Sequence, residues 1–226
     1  MDIYAHRGYS SKYLENTKDA FKACLDLDIT GIELDVQVSK DGEVVVFHDE
    51  NIKRLTGKDA FLKDLTLKEL QELKFKDGQT FITLDDYLDI AENSQLITNV
   101  ELKTGKFSYE GIEEMVYQKF KERSMLDRLM ISSFNHKSLV NFKKLDENIP
   151  LAALFSKIET IDEDYLDQNG IKIYHPNHKY LSFSDIKRLK AKGIKINLWT
   201  VNDRFEYIKN ELYGVEGIIT NSPEMK

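Results

Sequence analysis

The chain has 226 residues, 41% of them hydrophobic and 31% charged, with a net charge of −7. That length can hold a full core in one barrel-sized domain, and an acidic balance without a basic stripe weighs against nucleic-acid binding. No apolar run reaches membrane-spanning length, the single Cys24 cannot close an internal disulfide, and the first apolar run leaves no room for a signal peptide before it. The expectation is one domain over residues 1–226 in a cytoplasmic protein without stable membrane insertion.

In chain order, the run Ile3–His6 closes on a histidine that opens His6-Arg7-Gly8. A helix is predicted over Glu15–Leu27, with Ala20, Phe21, Cys24 and Leu25 on one stripe. Glu15, Asn16 and Thr17 either start that helix or support a site behind it. The next run, Gly31–Val36, alternates. Strand geometry puts Ile32, Leu34 and Val36 on one face and Glu33 with Asp35 on the other.

The Asp41-Gly42 turn between Val36–Ser39 and Glu43–Phe47 signals a hairpin whose second arm ends at His48-Asp49. Residues 49–81 mix Lys and Asp around one short helix near Leu67–Leu73. They are expected to form an insertion over a barrel mouth, too short and too polar for a core of their own. Thr66 with Glu69, Thr83 with Asp86 and Ser182 with Asp185 are capping-box helix starts.

Six further runs follow: Ile97–Leu102, Leu129–Ser132, Leu151–Phe155, Ile171–Tyr174, Lys195–Thr200 and Glu216–Thr220. Amphipathic stretches separate them, among them Tyr109–Arg123 with Ile112, Met115, Val116 and Phe120 on one side. Eight strands alternating with helices predict an α/β fold with a parallel sheet closed into a (β/α)8 TIM barrel. Too little chain follows Thr220 for an eighth helix, so the last helix is expected to be missing or vestigial. The first and eighth strands would then be partly uncovered, and a possible homodimer would pack there.

Barrel enzymes carry reactive groups at the carboxyl ends of their strands. Glu33, Asp35 and Glu101 would meet there, and buried carboxylates need a cation or a task. Oxygen-only ligands favour one divalent cation, Mg2+ or Ca2+. His6 and His48 suit a general acid and base, because imidazole titrates near neutrality. Arg7 and Lys103 bring charge that could hold a phosphate oxygen. Trp199 shares a polar strand face with Asn197, which favours a pocket wall. The set fits metal-assisted phosphoryl transfer or phosphodiester cleavage.

The order of motifs resembles the glycerophosphodiester phosphodiesterase family along nearly the whole chain. The matching segments run from His6-Arg7-Gly8, Glu15-Asn16-Thr17 and Gly31-Ile32-Glu33-Leu34-Asp35-Val36 to Lys40-Asp41-Gly42 and Val45-Val46-Phe47-His48-Asp49. They continue through Arg54-Leu55-Thr56-Gly57, Glu101-Leu102-Lys103, Ser133-Phe134, Trp199-Thr200-Val201-Asn202 and Gly217-Ile218-Ile219-Thr220. The resemblance implies hydrolysis of a small-molecule glycerophosphodiester to glycerol 3-phosphate and an alcohol. It implies Glu33, Asp35 and Glu101 on the metal, His6 and His48 as the acid/base pair, Arg7 and Lys103 on phosphate, and Trp199 beside the glycerol. A substrate hydroxyl attacking to give a cyclic phosphate and direct attack by water both remain open.

The chain departs from the family's usual pattern at Leu14, Glu216 and Asn221, where Pro, Asp and Asp are commoner. None of the three is expected to touch the metal or the proton carriers. A rival reading is a lysophospholipase D holding an acyl chain under an apolar lid, which Phe61, Leu62, Phe75 and Phe81 could form unless they merely anchor the loop. A less favoured one is a non-catalytic barrel that binds anions or a partner.

Overall fold

Alternation along short strands, most with one mainly apolar face, dictates a sheet that needs cover outside and filling inside. The computed structural model describes residues 1–225. Ten strands form: β1 Asp2–His6, β2 Gly31–Val38, β3 Val44–Val46, β4 Ile82–Thr83 and β5 Ile97–Leu102 come first. β6 Leu129–Ser133, β7 Leu151–Phe155, β8 Ile173–Pro176, β9 Lys195–Leu198 and β10 Gly217–Thr220 complete the set. Eight of them run parallel in the order β1, β2, β5, β6, β7, β8, β9, β10, and β10 pairs back onto β1 from Asp2↔Gly217 to Ala5↔Thr220. This is a closed (β/α)8 TIM barrel, as the alternation predicts.

The predicted hairpin forms with Val36 opposite Val46, which hangs β3 and β4 on β2 as an antiparallel extension. All three capping boxes are present.

Outward side chains such as Ile32, Leu34, Val100 and Ile131 join Phe21, Tyr87, Phe120 and Phe142 from the surrounding helices in the main core. Inward side chains fall into two layers. A lower apolar layer of Tyr4, Met130, Ala152 and Ile219, with Ile97 and Ile173 packed against it, plugs the barrel. The polar inward residues Glu33, Asp35, Gln37, Asn99, Glu101 and Ser132 are buried as well. The site is therefore confined to the carboxyl end.

Several expectations need correction. The insertion does have its own core: Val45, Phe47, Ile52, Leu62, Leu70, Phe75 and Phe81 are all buried in a separate cluster. Its apolar residues follow neither a helical nor a strand period, so the sequence hides their convergence. Leu62, Phe75 and Phe81 thus hold the insertion together and cannot cover an acyl chain. Only Phe61 keeps partial exposure, its ring 5.3 Å from that of Phe107.

Strands β1 and β10 are not uncovered. Ile3, Ala5 and Ile218 are buried in the main core with Tyr9 and Val215. No helix follows β10 among the described residues, and the turn after β1 bridges the seam instead. Its Tyr9 amide donates to Ala20 O and its Ser11 amide to Asn221 O, both at 3.0 Å. A homodimer loses that basis. The exposed apolar stripe is elsewhere, on the helix Arg204–Leu212, where Phe205, Ile208 and Leu212 are 73%, 45% and 81% exposed.

The first helix is shorter than predicted, Lys18–Lys22, with Thr17 as its cap. Asn16, in the left-handed region at φ 55, and Glu15 remain in the preceding loop and face the site. β8 begins two residues later than predicted, because Ile171 is taken by the end of the preceding helix. Its amide donates to Leu166 O after the left-handed Gly170, and its side chain enters the core. β9 stops at Leu198, leaving Trp199 just past the strand in a single bridge to Asn177.

Candidate active site

Register builds the site. Asp35 pairs with Glu101, Glu33 with Asn99, and His6 with Glu33, so alternate residues of three adjacent strands meet inside the barrel. Ligand oxygens of Glu33, Asp35 and Glu101 all lie within 4.8 Å of one another, and all three residues are buried. Like charges this close resist simultaneous ionisation. Burial, reinforced by Asp35, pushes the Glu33 carboxyl well above its ordinary range, and burial with Asp35 likewise raises Glu101. Burial would raise Asp35 too, but Arg7, His48, Lys103 and Asn16 outweigh it and hold that carboxyl down to about 2.

The contacts explain the asymmetry. Arg7 Nε lies 3.3 Å from Asp35 Oδ2, which also accepts from Asn16 Nδ2 at 3.0 Å. Lys103 Nζ is 2.9 Å from Glu101 Oε1 and 3.8 Å from Asp35 Oδ1. The Arg7 backbone amide donates to Glu33 Oε2 at 2.9 Å. That approach needs the turn His6-Arg7-Gly8, where Arg7 and Gly8 have φ of 57° and 77°. A Cβ at Gly8 would meet the Ala20 backbone at 2.8 Å, so glycine is required there.

Asp35 Oδ1 is buried and has no hydrogen-bond partner among the described residues. An all-oxygen donor set, one member of it unpartnered, fits a hard divalent cation held by Glu33, Asp35 and Glu101.

Both predicted histidines reach the same cavity, each oriented through Nδ1. His6 Nδ1 is 2.6 Å from Asn221 Oδ1, and His48 Nδ1 is 2.7 Å from Asp49 Oδ1. The first contact overturns the expectation that Asn221 touches no proton carrier. Burial, together with the Arg7 charge, pushes the His6 imidazole down to about 4. A neutral ring with its Nδ1 proton on Asn221 keeps a lone pair on Nε2.

The His48 segment is held by Gln37, whose Nε2 donates to the carbonyls of Phe47 and Asp49, both at 2.9 Å. Gln37 Oε1 in turn accepts from Tyr109 Oη at 3.0 Å. Behind the ring, Asp49 Oδ2 accepts from Arg54 Nε at 2.5 Å, Arg54 Nη2 reaches Glu15 Oε1 at 2.6 Å, and the same oxygen accepts from Arg7 Nη1 at 2.8 Å. A continuous chain of charges thus joins Asp35, Arg7, Glu15, Arg54, Asp49 and His48.

The cavity, of about 120 Å³, gathers Arg7, Glu33, Glu101, both histidines and Trp199. Lys103 borders an adjoining groove with Glu50, Lys106 and Phe134, and Glu101 is common to the two spaces. Trp199 Nε1 donates to His175 O at 2.7 Å, which fixes the indole as a wall. Six of the eight predicted site residues line that cavity, Asp35 sits in the acid cluster beside it, and Lys103 ion-pairs with Glu101 from the groove next door. Gln37, Asp49, Arg54 and Asn221 join them without having been assigned a place there, and Glu15 and Asn16 take the supporting position that was one of their two readings. Glu15, Asp49 and Arg54 belong to the quoted motifs, but only the fold reveals that they touch one another.

A TIM barrel with three acids, two oriented imidazoles and two cations at its mouth has the parts that phosphoric diester hydrolysis needs. Residues 6–225 match the glycerophosphoryl diester phosphodiesterase family. The chain is 36% identical to a glycerophosphodiester phosphodiesterase of Caldanaerobacter subterraneus subsp. tengcongensis, covering 98% of this chain and 94% of that one. It is 37% identical to one of Bacillus altitudinis, covering 98% and 95%. An Oleispira antarctica phosphodiesterase, solved in complex with the product sn-glycerol-3-phosphate, superposes with a TM-score of 0.89 at 27% identity over 99% of this chain and 94% of that chain. The chain belongs to the glycerophosphoryl diester phosphodiesterase family.

Proposed function

We propose that this protein hydrolyses glycerophosphodiesters to glycerol 3-phosphate and an alcohol. The observation that carries the reading is the convergence of two oriented imidazoles and three buried acids on one cavity of glycerol size. Glu33, Asp35 and Glu101 would hold one divalent cation, Mg2+ or Ca2+. Such a cation, when bound, supplies positive charge to phosphoryl oxygens and acidifies an attacking hydroxyl. Arg7 and Lys103 would bind the phosphate, each already beside the acids that offset its charge.

His6, with its lone pair on Nε2, takes the proton of the attacking hydroxyl. His48, oriented by Asp49, delivers a proton from Nε2 to the leaving alcohol oxygen. The same two carriers serve attack by a substrate hydroxyl, with water opening the cyclic phosphate afterwards, and attack by water itself. Trp199 lines the glycerol side.

The cavity favours this reading over a lysophospholipase D. A cavity of about 150 Å³ takes a ligand of benzene size, so about 120 Å³ accommodates a glycerol unit, and an acyl chain would have to lie outside it. The residues offered as an acyl lid are mostly spent in the insertion's own core.

A panel of glycerophosphodiesters with enzymatic detection of glycerol 3-phosphate tests the function. Product should appear, vanish with chelator and return with Mg2+ or Ca2+. Anion binding without any product would return the chain to a silent barrel.

The substrate is a small molecule, and the net charge of −7 offers nucleic acid no electrostatic footing. Among the described residues no helix is long and apolar enough to cross a membrane. A cytoplasmic location belongs to the same proposal, resting on composition with its single cysteine. For a homodimer the available face is the Phe205, Ile208 and Leu212 stripe. Light scattering at micromolar concentration that returns the mass of one chain speaks against pairing.

A further inference from the structure

We propose that Asn99 and Ser132 read a free terminal hydroxyl of the glycerol unit, making this cavity selective for unsubstituted glycerol over its deoxy and O-acyl forms. The inference rests on the phosphodiesterase reading above and assigns the inner end of the same site.

Asn99 precedes Glu101 by one strand step on β5, and Ser132 stands opposite Glu101 on β6. Both line the cavity and both are buried, at 1% and 0% exposure. Yet neither Asn99 Oδ1 nor Ser132 Oγ has a hydrogen-bond partner among the described residues. The neighbouring Ser133 shows the contrast. Its hydroxyl points to the other face of β6, donates to Leu102 O at 2.9 Å and accepts from the Asn135 amide at 3.0 Å. Buried polar atoms are nearly always paired, and two orphans side by side on a cavity wall mark where a ligand's polar atoms go.

The rest of the cavity says which ligand. One step further down the same strands come Ile97 and Met130, part of the apolar plug, so the space ends just below Asn99 and Ser132. Leu154 of the neighbouring strand β7, with Ile219 and Trp199, supplies apolar lining to the same cavity. The inner end thus combines two unpaired polar atoms with apolar lining and is closed beneath. A short polyol matches it: carbons against Leu154 and Trp199, hydroxyls toward the two orphans. With phosphate held at the rim beside Arg7, the hydroxyl farthest from phosphorus is the one that reaches them. Asn99 Oδ1 accepts its proton, and Ser132 Oγ donates to its oxygen. Esterifying that hydroxyl removes the donor and drives a chain into the plug.

The test compares sn-glycero-3-phosphocholine with its analogue lacking the terminal hydroxyl, in the native protein and in Ser132→Ala, which removes a single oxygen. The native protein should prefer the glycerol form in kcat/KM by ~10–100-fold, the range expected when one buried hydrogen-bonding group is left unpaired. In Ser132→Ala that ratio should fall at least ~5-fold, and Asn99→Ala should move it in the same direction. Calorimetric binding of sn-glycerol 3-phosphate should weaken in both variants relative to inorganic phosphate. A ratio that stays at its native value, or proportional losses on both diesters and both ligands, overturns the assignment while the phosphodiesterase reading stands. Failure of the native protein to cleave either diester overturns that reading and this one together.

Discussion

Glu101→Gln and Asp35→Asn are each expected to lower kcat/KM by ~1000-fold or more, yet to shift thermal stability in opposite directions. If these acids hold the cation as proposed, losing one forfeits several kcal/mol of transition-state charge stabilisation, at about 1.4 kcal/mol for each factor of ten. Stability follows a different rule. Glu33 and Glu101 titrate above their ordinary 4.5 in the fold, driven by burial and by Asp35. Each contributes stability that is full below that value and is lost as pH rises through the raised folded pKa. A neutral glutamine escapes the penalty, so Glu101→Gln should melt higher than the native protein at pH 8 with chelator present.

Asp35 behaves conversely. Its folded value of about 2 lies below the ordinary 3.8, so it stabilises above 3.8 and loses that contribution as pH falls through about 2. Asparagine there leaves Arg7 and Lys103 short of a counter-charge, and Asp35→Asn should melt lower. For a chain of this size each 1 kcal/mol corresponds to ~2–4 °C. Added divalent ion should raise the native midpoint more at pH 8 than at pH 5, because protons compete for the same carboxylates. Scanning fluorimetry at the two pH values, with chelator or cation, reads all of this. Parallel shifts in the two variants would falsify the division between raised and lowered acids.

His6→Ala and His48→Ala should each reduce kcat by ~100- to 10000-fold, the ordinary contribution of a positioned acid or base. The sharper expectation concerns Asn221. Its Oδ1 meets His6 Nδ1 at 2.6 Å, and burial with Arg7 already holds that ring down to about 4. Asn221→Asp places a negative charge at the same distance, which favours the protonated imidazole. If His6 is the base, the acid limb of the pH–rate profile should climb by ~1 pH unit or more, with the alkaline plateau affected far less. An acid limb that stays in place would remove His6 from the role of base. Asn221→Ser, which withdraws the acceptor without adding charge, separates loss of orientation from the change in charge.

The insertion enters this chemistry indirectly. Arg54 lies in it and carries Asp49 and Glu15 on one guanidinium, so the orientation of His48 and the placement of Arg7 share a single support. Of lid and loop anchor, Leu62, Phe75 and Phe81 take the second part, but the segment is far from passive. Its small core holds the loop that bears Arg54.

Glu33 and Asp35 had to share a face because strand alternation is local and has period two, and closing eight such strands turns that face inward. The barrel, the hairpin at Asp41-Gly42, the three capping boxes and the meeting of Glu33, Asp35 and Glu101 were therefore open to reading from the chain alone. Only the folded structure decided that Asn221 meets His6 across 215 positions, that scattered apolar residues of the insertion pack together, and that the turn after β1 seals the seam beside β10. Those are meetings of side chains remote in sequence, set by barrel closure and packing, and no local period encodes them.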